Sequence, residues 1–284
     1  MKIFLTGGTG FIGSNFINSA MMNGHSIVAI RRKGSISKVD LINQPIWVEG
    51  DLESDYSAHL KNCDIFVHMA SYGVLDGDDD LDEYFRWNVV ATYNLCKQAY
   101  DSGIKKFIIL GSCFEYGKAG ERFELIPTTA PLEPNTYYAA SKASASVLLY
   151  GWAIKKGIYM NILRIFQVYG EGENDNRLWP SLRHAALSGR DFKMTKGEQI
   201  RDFILVDDVV SDIIQSLSFD KSISGSPKIN NIGSGKPLSV HQFCSYWWKK
   251  WNAKGELIIG ALPYRKNEVM RYVPEIDKKK CLSI

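Results

Sequence analysis

One segment near the start, Thr6-Gly-Gly-Thr-Gly-Phe-Ile-Gly13, constrains this chain more than any other. It follows an apolar run of strand length at 2–6 and opens a helical pattern at 11–22. Gly7 allows a tight turn, and Gly10 lets backbone approach a pyrophosphate. Gly13 lets the helix pack closely on a sheet with its N-terminus toward the anion. Phe11 and Ile12, on the first turn, join the glycines as candidate cofactor residues. The pattern predicts dinucleotide binding; a purely structural turn is the alternative. The opening run with its single lysine superficially suggests a signal peptide, but glycines follow at once, so it reads as a buried strand.

The next hundred and fifty residues keep the rhythm that this start demands. Apolar runs lie at 26–30, 46–48, 64–69, 105–110 and 159–166, with helical patterns at 81–102 and 138–156 between them. Alternation on this scale predicts an α/β chain, a Rossmann-like doubly wound parallel sheet with helices on both faces. Ligands then bind outside the strand C-termini at the switch point. After Phe166 the rhythm breaks. The expected division is a dinucleotide-binding domain of 1–166 plus 202–234, and a smaller, discontinuous C-terminal substrate lobe of 167–201 plus 235–284.

Composition narrows the classes further. At 284 residues, 45% hydrophobic and 23% charged, the chain is neither disordered nor fibrous. No run approaches the roughly 18 apolar residues of a membrane span. A net charge of +3, spread along the chain, argues against a nucleic-acid partner. The basic run Lys278–Lys280 reads as a solvated end. Five cysteines without a CxxC predict free thiols in a reducing compartment, hence a cytoplasmic chain. The acidic run 76–83 lacks EF-hand order and reads as a loop feeding a helix N-terminus. The five histidines have no ligand spacing, so no metal is expected. Gly233-Ser-Gly-Lys236 lacks the first glycine of a P-loop, and proline follows its lysine. Trp247, Trp248 and Trp251 with Lys249 and Lys250 read as a core-facing amphipathic helix rather than a membrane-surface one.

The end of the second strand decides the dinucleotide. An NAD site places an acid there for the ribose 2′-hydroxyl. Here the strand ends in Arg31-Arg32-Lys33. A guanidinium pairs bidentately with a 2′-phosphate, so Arg31 and Arg32 predict NADP (NADPH) rather than NAD; a basic surface turn is the alternative.

Tyr138 and Lys142 stand four residues apart, on one helix face if the segment is helical. A fixed cation beside a phenol favours the phenolate, and such a pair exchanges a proton with an alkoxide or alcohol. Ser112, at the expected end of a strand, can donate to the same oxygen. Cys113 beside it has no evident activating base and reads as a pocket-wall thiol.

TGGTGFIG, GSCFEYG, YAASK, LRIFQVYG and RDFILVDDV, in this order, resemble an extended short-chain dehydrogenase/reductase of the nucleotide-sugar epimerase/dehydratase group. The resemblance covers nearly the whole chain. It implies a catalytic triad of Ser112, Tyr138 and Lys142, with Lys142 also holding the nicotinamide ribose. It implies that Asp51 and Leu52 flank the adenine and that Ala70, Ser71, Asn88 and Val168 line the cofactor. On the substrate side it implies Arg201, with Arg265 as a second arginine, for the nucleotide diphosphate. Gln167 stands where many members have Asn, which puts its sugar contact in doubt.

Members that eliminate water across C5–C6 carry an Asp-Glu pair directly after the serine or threonine. Here Cys113 and Phe114 occupy those places, with Glu115 one position late, so a 4,6-dehydratase is not expected. Phe114 and Glu115 remain candidate substrate contacts. The basic 31–33 run and the texture of 176–203 resemble the branch of CDP-abequose synthases and dTDP-4-keto-6-deoxyglucose reductases. That implies NADPH-dependent reduction of a 4-keto-deoxyhexose nucleotide for surface polysaccharide such as O-antigen. An NAD-dependent 4-epimerase and a non-catalytic NADP-binding regulator are the other readings. The helices at 81–102 and 138–156 resemble the pair that forms a four-helix interface in this group, implying a homodimer.

Overall fold

The computed structural model describes residues 1–74, 80–219, 222–265 and 268–276. Residues 76–79 of the acidic run, Lys278–Lys280 and Cys281 lie outside the described residues. In chain order the first unit comprises β1 (Lys2–Thr6), α1 (Phe11–Met22), β2 (Ser26–Arg31), β3 (Ile46–Glu49), α2 (Ser57–Leu60), β4 (Ile65–His68) and α3 (Leu81–Phe85). A π-turn at Arg86–Ala91 runs on into α4 (Thr92–Asp101). Then come β5 (Lys106–Ser112), two 3-10 turns, α5 (Tyr137–Lys156) and β6 (Tyr159–Ile165). Later segments are β7 (Gln167–Tyr169), α6 (Leu178–Leu187), β8 (Phe192–Met194), β9 (Ile200–Leu205), α7 (Val206–Gln215) and β10 (Lys228–Ile232). The chain closes with β11 (Pro237–Ser239), α8 (Val240–Lys250), β12 (Leu257–Ile259) and β13 (Arg271–Tyr272).

Seven parallel strands form the main sheet in the order β10-β6-β5-β4-β1-β2-β3. The order reverses between β1 and β4, which is the doubly wound pattern with its switch point there. Both faces of the central strands β1, β4 and β5 are buried, so these strands are mainly apolar. Ile3, Leu5, Ile65, Val67 and Ile108 pack on one face with Phe16 and Ile17 of α1 and Val209 and Ile213 of α7. Phe4, Phe66, Phe107 and Ile109 pack on the other with Leu95 of α4 and Leu149 of α5. Each such side chain stabilises the fold by about 1.5–3 kcal/mol on burial.

The long helix α5 starts where Thr136 accepts a 3.1 Å hydrogen bond from the Ala139 N–H. It ends at Gly157 in the left-handed conformation (φ +64°), with Lys155 and Lys156 complementing the dipole of the last turn.

β9 leaves the main sheet and pairs with β7, β11 and β13 in a small second sheet, while α7 and β10 after it return to the first unit. β8 and β12 form a separate pair. Trp179, Phe203, Phe243, Trp247, Trp248 and Trp251 gather in the core of this smaller part, so the aromatic face of α8 points inward. Among the described residues no helix is long and apolar enough to cross a membrane.

Candidate active site

The glycine loop closes the C-terminal end of β1 against the end of β4. Gly7 adopts φ +73°, and a Cβ there would lie 2.6 Å from the Ala70 nitrogen. At Gly13 a Cβ would lie 2.0 Å from the Gly7 carbonyl oxygen. Gly10 donates to the Gly7 carbonyl at 3.0 Å and begins α1 without a side-chain cap, and no acid stands in the first turn. An uncapped helix N-terminus wrapped in glycine backbone fits a pyrophosphate by charge and by space. The Phe11 and Ile12 side chains pack on the core, so only their backbone faces that position.

Beneath the loop, Thr6 Oγ1 accepts from the Met69 and Ala70 N–H groups at 3.2 and 3.1 Å and meets His68 Nδ1 at 2.8 Å. His68 Nε2 meets Thr92 Oγ1 at 3.1 Å, and that hydroxyl donates to the Trp87 carbonyl. A neutral imidazole with its proton on Nε2 satisfies every partner. Burial, reinforced by the Lys142 ammonium, pushes His68 down to about 3.

At the C-terminal end of β2, Arg31 lies over the Trp47 ring, 5.3 Å from its centroid, and its guanidinium is 3.6 Å from Glu49. The pattern along β2 shows no acid, yet register sets Arg31 opposite Glu49 of β3. Arg32 is exposed. The Asp51 carboxylate accepts from the Glu53 N–H and the Ser54 hydroxyl, and Leu52 packs on the core, so both hold the turn after β3.

Ser112 is the last residue of β5 and Tyr138 stands on the first turn of α5. The Tyr138 phenol is within hydrogen-bonding reach of both the Ser112 and Ser71 hydroxyls, and Phe114 packs edge-on against its ring at 6.5 Å. Ser71, expected on the cofactor, therefore stands beside the Tyr138 phenol together with Ser112. Lys142 is buried and donates a 2.6 Å hydrogen bond to the Leu110 carbonyl. Burial pushes the Tyr138 phenol up, opposed by the Ser71 and Ser112 hydroxyls. Burial also pushes the Lys142 ammonium down, with Glu115 opposing. The Cys113 thiol, buried, is pushed up to about 12, which leaves it no nucleophile.

Asn88 sits in the π-turn, nearly fully buried. Its oxygen accepts from the Tyr72 N–H at 2.8 Å, and its amide donates to the Tyr72 carbonyl and, at 2.9 Å, to Ser141. It ties the loop after β4 to α5, and its amide is engaged within the protein rather than turned to the cofactor cleft. Val168 packs against the main core at its edge.

Glu115, expected against the sugar, is fully buried instead, 2.8 Å from Arg164 Nε. Phe114 is exposed and Gln167 half-buried. Arg201 pairs with Glu268 at 2.7 Å and also donates to the Val269 and Ile200 carbonyls. Arg265 is exposed. Arg164 is a residue that sequence reasoning missed, although an arginine inside an apolar strand signals a buried partner. The glycine-rich 233–236 turn is not a phosphate cradle: Asp202 accepts from the Ser234 N–H at 2.7 Å and draws the Gly235 and Lys236 N–H groups as well. Among the described residues no group of acids, histidines or cysteines could hold a metal.

The model of the NAD dependent epimerase/dehydratase family matches residues 3–233. The chain belongs to that family. It is 31% identical over 183 residues to a UDP-glucose 4-epimerase of Vibrio cholerae, covering 62% of this chain and 54% of that protein, so it spans just over half of that relative's length. It is 27% identical over 274 residues to the CDP-abequose synthase of Salmonella muenchen, covering 95% of this chain and 87% of the other. The fold is that of the UDP-N-acetylglucosamine 4-epimerase of Methanobrevibacter ruminantium M1, with a TM-score of 0.86 at 24% identity over 100% of this chain and 92% of that one.

Proposed function

We propose that this enzyme reduces the C4 keto group of a nucleotide-linked 4-keto-deoxyhexose, a CDP- or dTDP-sugar, to a deoxyhexose nucleotide for polysaccharide such as O-antigen. The observation that carries the reductase reading is Arg31, a guanidinium where an NAD site has its ribose-binding acid. Gly7, Gly10 and Gly13 with the uncapped start of α1 would hold the pyrophosphate of NADP, and Arg31 with Arg32 its 2′-phosphate. Held by these residues, NADPH would supply a hydride for the C4 carbonyl. Tyr138 gives its proton to O4, which a phenol held protonated by burial is fit to do. Ser112 donates to the same oxygen and stabilises its developing charge. Lys142, fixed on the Leu110 carbonyl, fits the nicotinamide ribose. Arg201, with Arg265, would meet the diphosphate, and the guanidinium of Arg201 would then exchange Glu268 for phosphate oxygens. The first unit is the cofactor half and the β7, β9, β11, β13 region the substrate lobe.

The second reading is an NAD-dependent nucleotide-sugar 4-epimerase. Glu49 favours it, because its carboxylate stands beside Arg31 and can accept from a ribose hydroxyl. The retained Ser112, Tyr138 and Lys142 speak against a non-catalytic regulator.

The test is consumption of NADPH and NADH with CDP- and dTDP-4-keto-6-deoxyglucose and their 3-deoxy forms. Loss of NADPH with one of them, abolished in Tyr138→Phe, supports the reductase. Interconversion of two nucleotide hexoses without net consumption makes the enzyme an epimerase.

A homodimer through α5 and the α3–α4 segment completes the proposal. Val147, Tyr150 and Ile154 form an exposed stripe at helical spacing on α5, and Val90 is 52% exposed beside α4. Light scattering that gives a mass of about twice 32.0 kDa supports it, and a monomeric mass contradicts it.

A further inference from the structure

Resting on the catalytic reading above, we infer that Glu115 is a positioning residue, whose buried carboxylate fixes Ser112 and holds the charge of Lys142. Three observations meet on this side chain. Glu115 Oε1 accepts a 2.8 Å hydrogen bond from the Ser112 N–H, while Ser112 Oγ accepts from the Phe114 N–H at 3.3 Å, a reciprocal cap at the end of β5. Glu115 Oε2 accepts from Arg164 Nε at 2.8 Å, with side-chain exposures of 0% and 3%. Gly111 leaves the space that the carboxylate fills, since a Cβ there would lie 2.5 Å from Oε1.

Arg164 is itself held. Its guanidinium lies over the Tyr116 ring, 4.6 Å from the centroid, and donates to the Thr128 carbonyl at 3.3 Å. The Tyr116 hydroxyl in turn donates to Asn231 at 2.6 Å. An uncharged glutamine would serve as a cap equally well. Burying two ions to do it is costly unless the charge itself has work to do. That work is next door, where the Lys142 ammonium is bound to the carbonyl of Leu110, two residues before Ser112. The titratable groups near Lys142 are His68 of β4 and Glu115 of the turn after β5, with Tyr138 one turn away on the same helix, Cys113 next to Ser112 in the chain and, behind Glu115, Arg164 of β6. His68 is neutral and Cys113 a thiol, so Glu115 is the acid among these that favours the charged ammonium.

The test reads Lys142 directly. In protein carrying lysine labelled with carbon-13 at Cε, the Lys142 resonance (identified by its loss in Lys142→Met) is followed against pH by NMR. A negative charge removed from beside an ammonium makes it easier to deprotonate, so in Glu115→Gln Lys142 titrates about one pH unit lower. Should that variant not fold because Arg164 is left unpaired, Glu115→Gln combined with Arg164→Gln is titrated instead, with the same direction expected. An unchanged Lys142 titration in the folded variant overturns the inference, whatever the enzyme's substrate. The activity arm uses dTDP-4-keto-6-deoxyglucose and its CDP counterpart: kcat falls about tenfold at pH 8 with KM little changed. Activity that survives in Tyr138→Phe overturns the catalytic reading instead, while the titration still decides the role of Glu115.

Discussion

The guanidinium of Arg31 at the end of β2 lies over the indole of Trp47 and 3.6 Å from the carboxylate of Glu49, both side chains belonging to the neighbouring strand. The pair is half-exposed and loose, so it holds Arg31 in place with little energy, at most about 1 kcal/mol. A phosphate on the ribose would compete with Glu49 for the same guanidinium. Arg31→Ala is therefore expected to weaken NADPH binding about tenfold or more and leave NADH nearly unchanged. Glu49→Gln should tighten NADPH about threefold. Fluorescence titration with both cofactors checks the two variants side by side.

His68 gives the fold an acid limit. Its imidazole, neutral and buried between Thr6 and Thr92, titrates near 3 when folded against 6.5 when unfolded. Between those values the unfolded chain binds the extra proton, so stability is complete above about pH 6.5 and is lost as the pH falls toward 3. Urea unfolding should show a loss of up to about 1.4 kcal/mol per pH unit across that window. His68→Gln should start lower at pH 7 and lose less on acidification.

Glu173 acts with the opposite sign. Its Oε2 is buried without a partner, and burial raises the carboxyl to about 7 against 4.5, with Arg177 and a backbone hydrogen bond of Gly170 opposing. Here the folded chain keeps the proton longer, so its contribution is complete below about pH 4.5 and is lost as the pH rises through 7. Glu173→Gln should raise the melting temperature at pH 8 and leave it nearly unchanged at pH 4. Thermal unfolding at the two pH values is the check.

Most of the first unit is legible in the chain because its signals are local. The runs 2–6 and 26–30 and the helix 11–22 lie where the apolar pattern puts them, and the glycine loop stands between strand and helix as its spacing requires. Ser112, Tyr138 and Lys142 meet because a strand end and a helix start bring them together. What the pattern along the chain cannot reveal is the partner across space. Glu49 faces Arg31 through strand register, and Glu115 turns from the sugar to Arg164 because β6 runs beside β5. Asn88 serves the loop after β4 because a π-turn rotates it inward. In the smaller lobe the aromatic helix is legible from its pattern, but the strands are not, since at two to six residues they pair with distant partners and carry little period of their own.

The glycine loop gives a prediction independent of substrate. A methyl at Gly13 would lie 2.0 Å from the Gly7 carbonyl, and backbone has no rotamer by which to yield. Gly13→Ala should push α1 away from the loop, weaken cofactor binding by about tenfold or more, and lower the melting temperature. Gly151→Ala is the control, because nothing lies within 4 Å of its Cβ position. It should keep cofactor binding and, if anything, stabilise α5 by about 1 kcal/mol.

The most direct test of a hydride delivered to C4 is its label. NADPH carrying deuterium in the transferred position is consumed with dTDP-4-keto-6-deoxyglucose or its CDP counterpart, and the sugar is analysed by proton NMR. The account predicts one cofactor oxidised per sugar, deuterium at C4, and no turnover in Tyr138→Phe. A product that carries no deuterium at C4, formed without net oxidation of the cofactor, would contradict it.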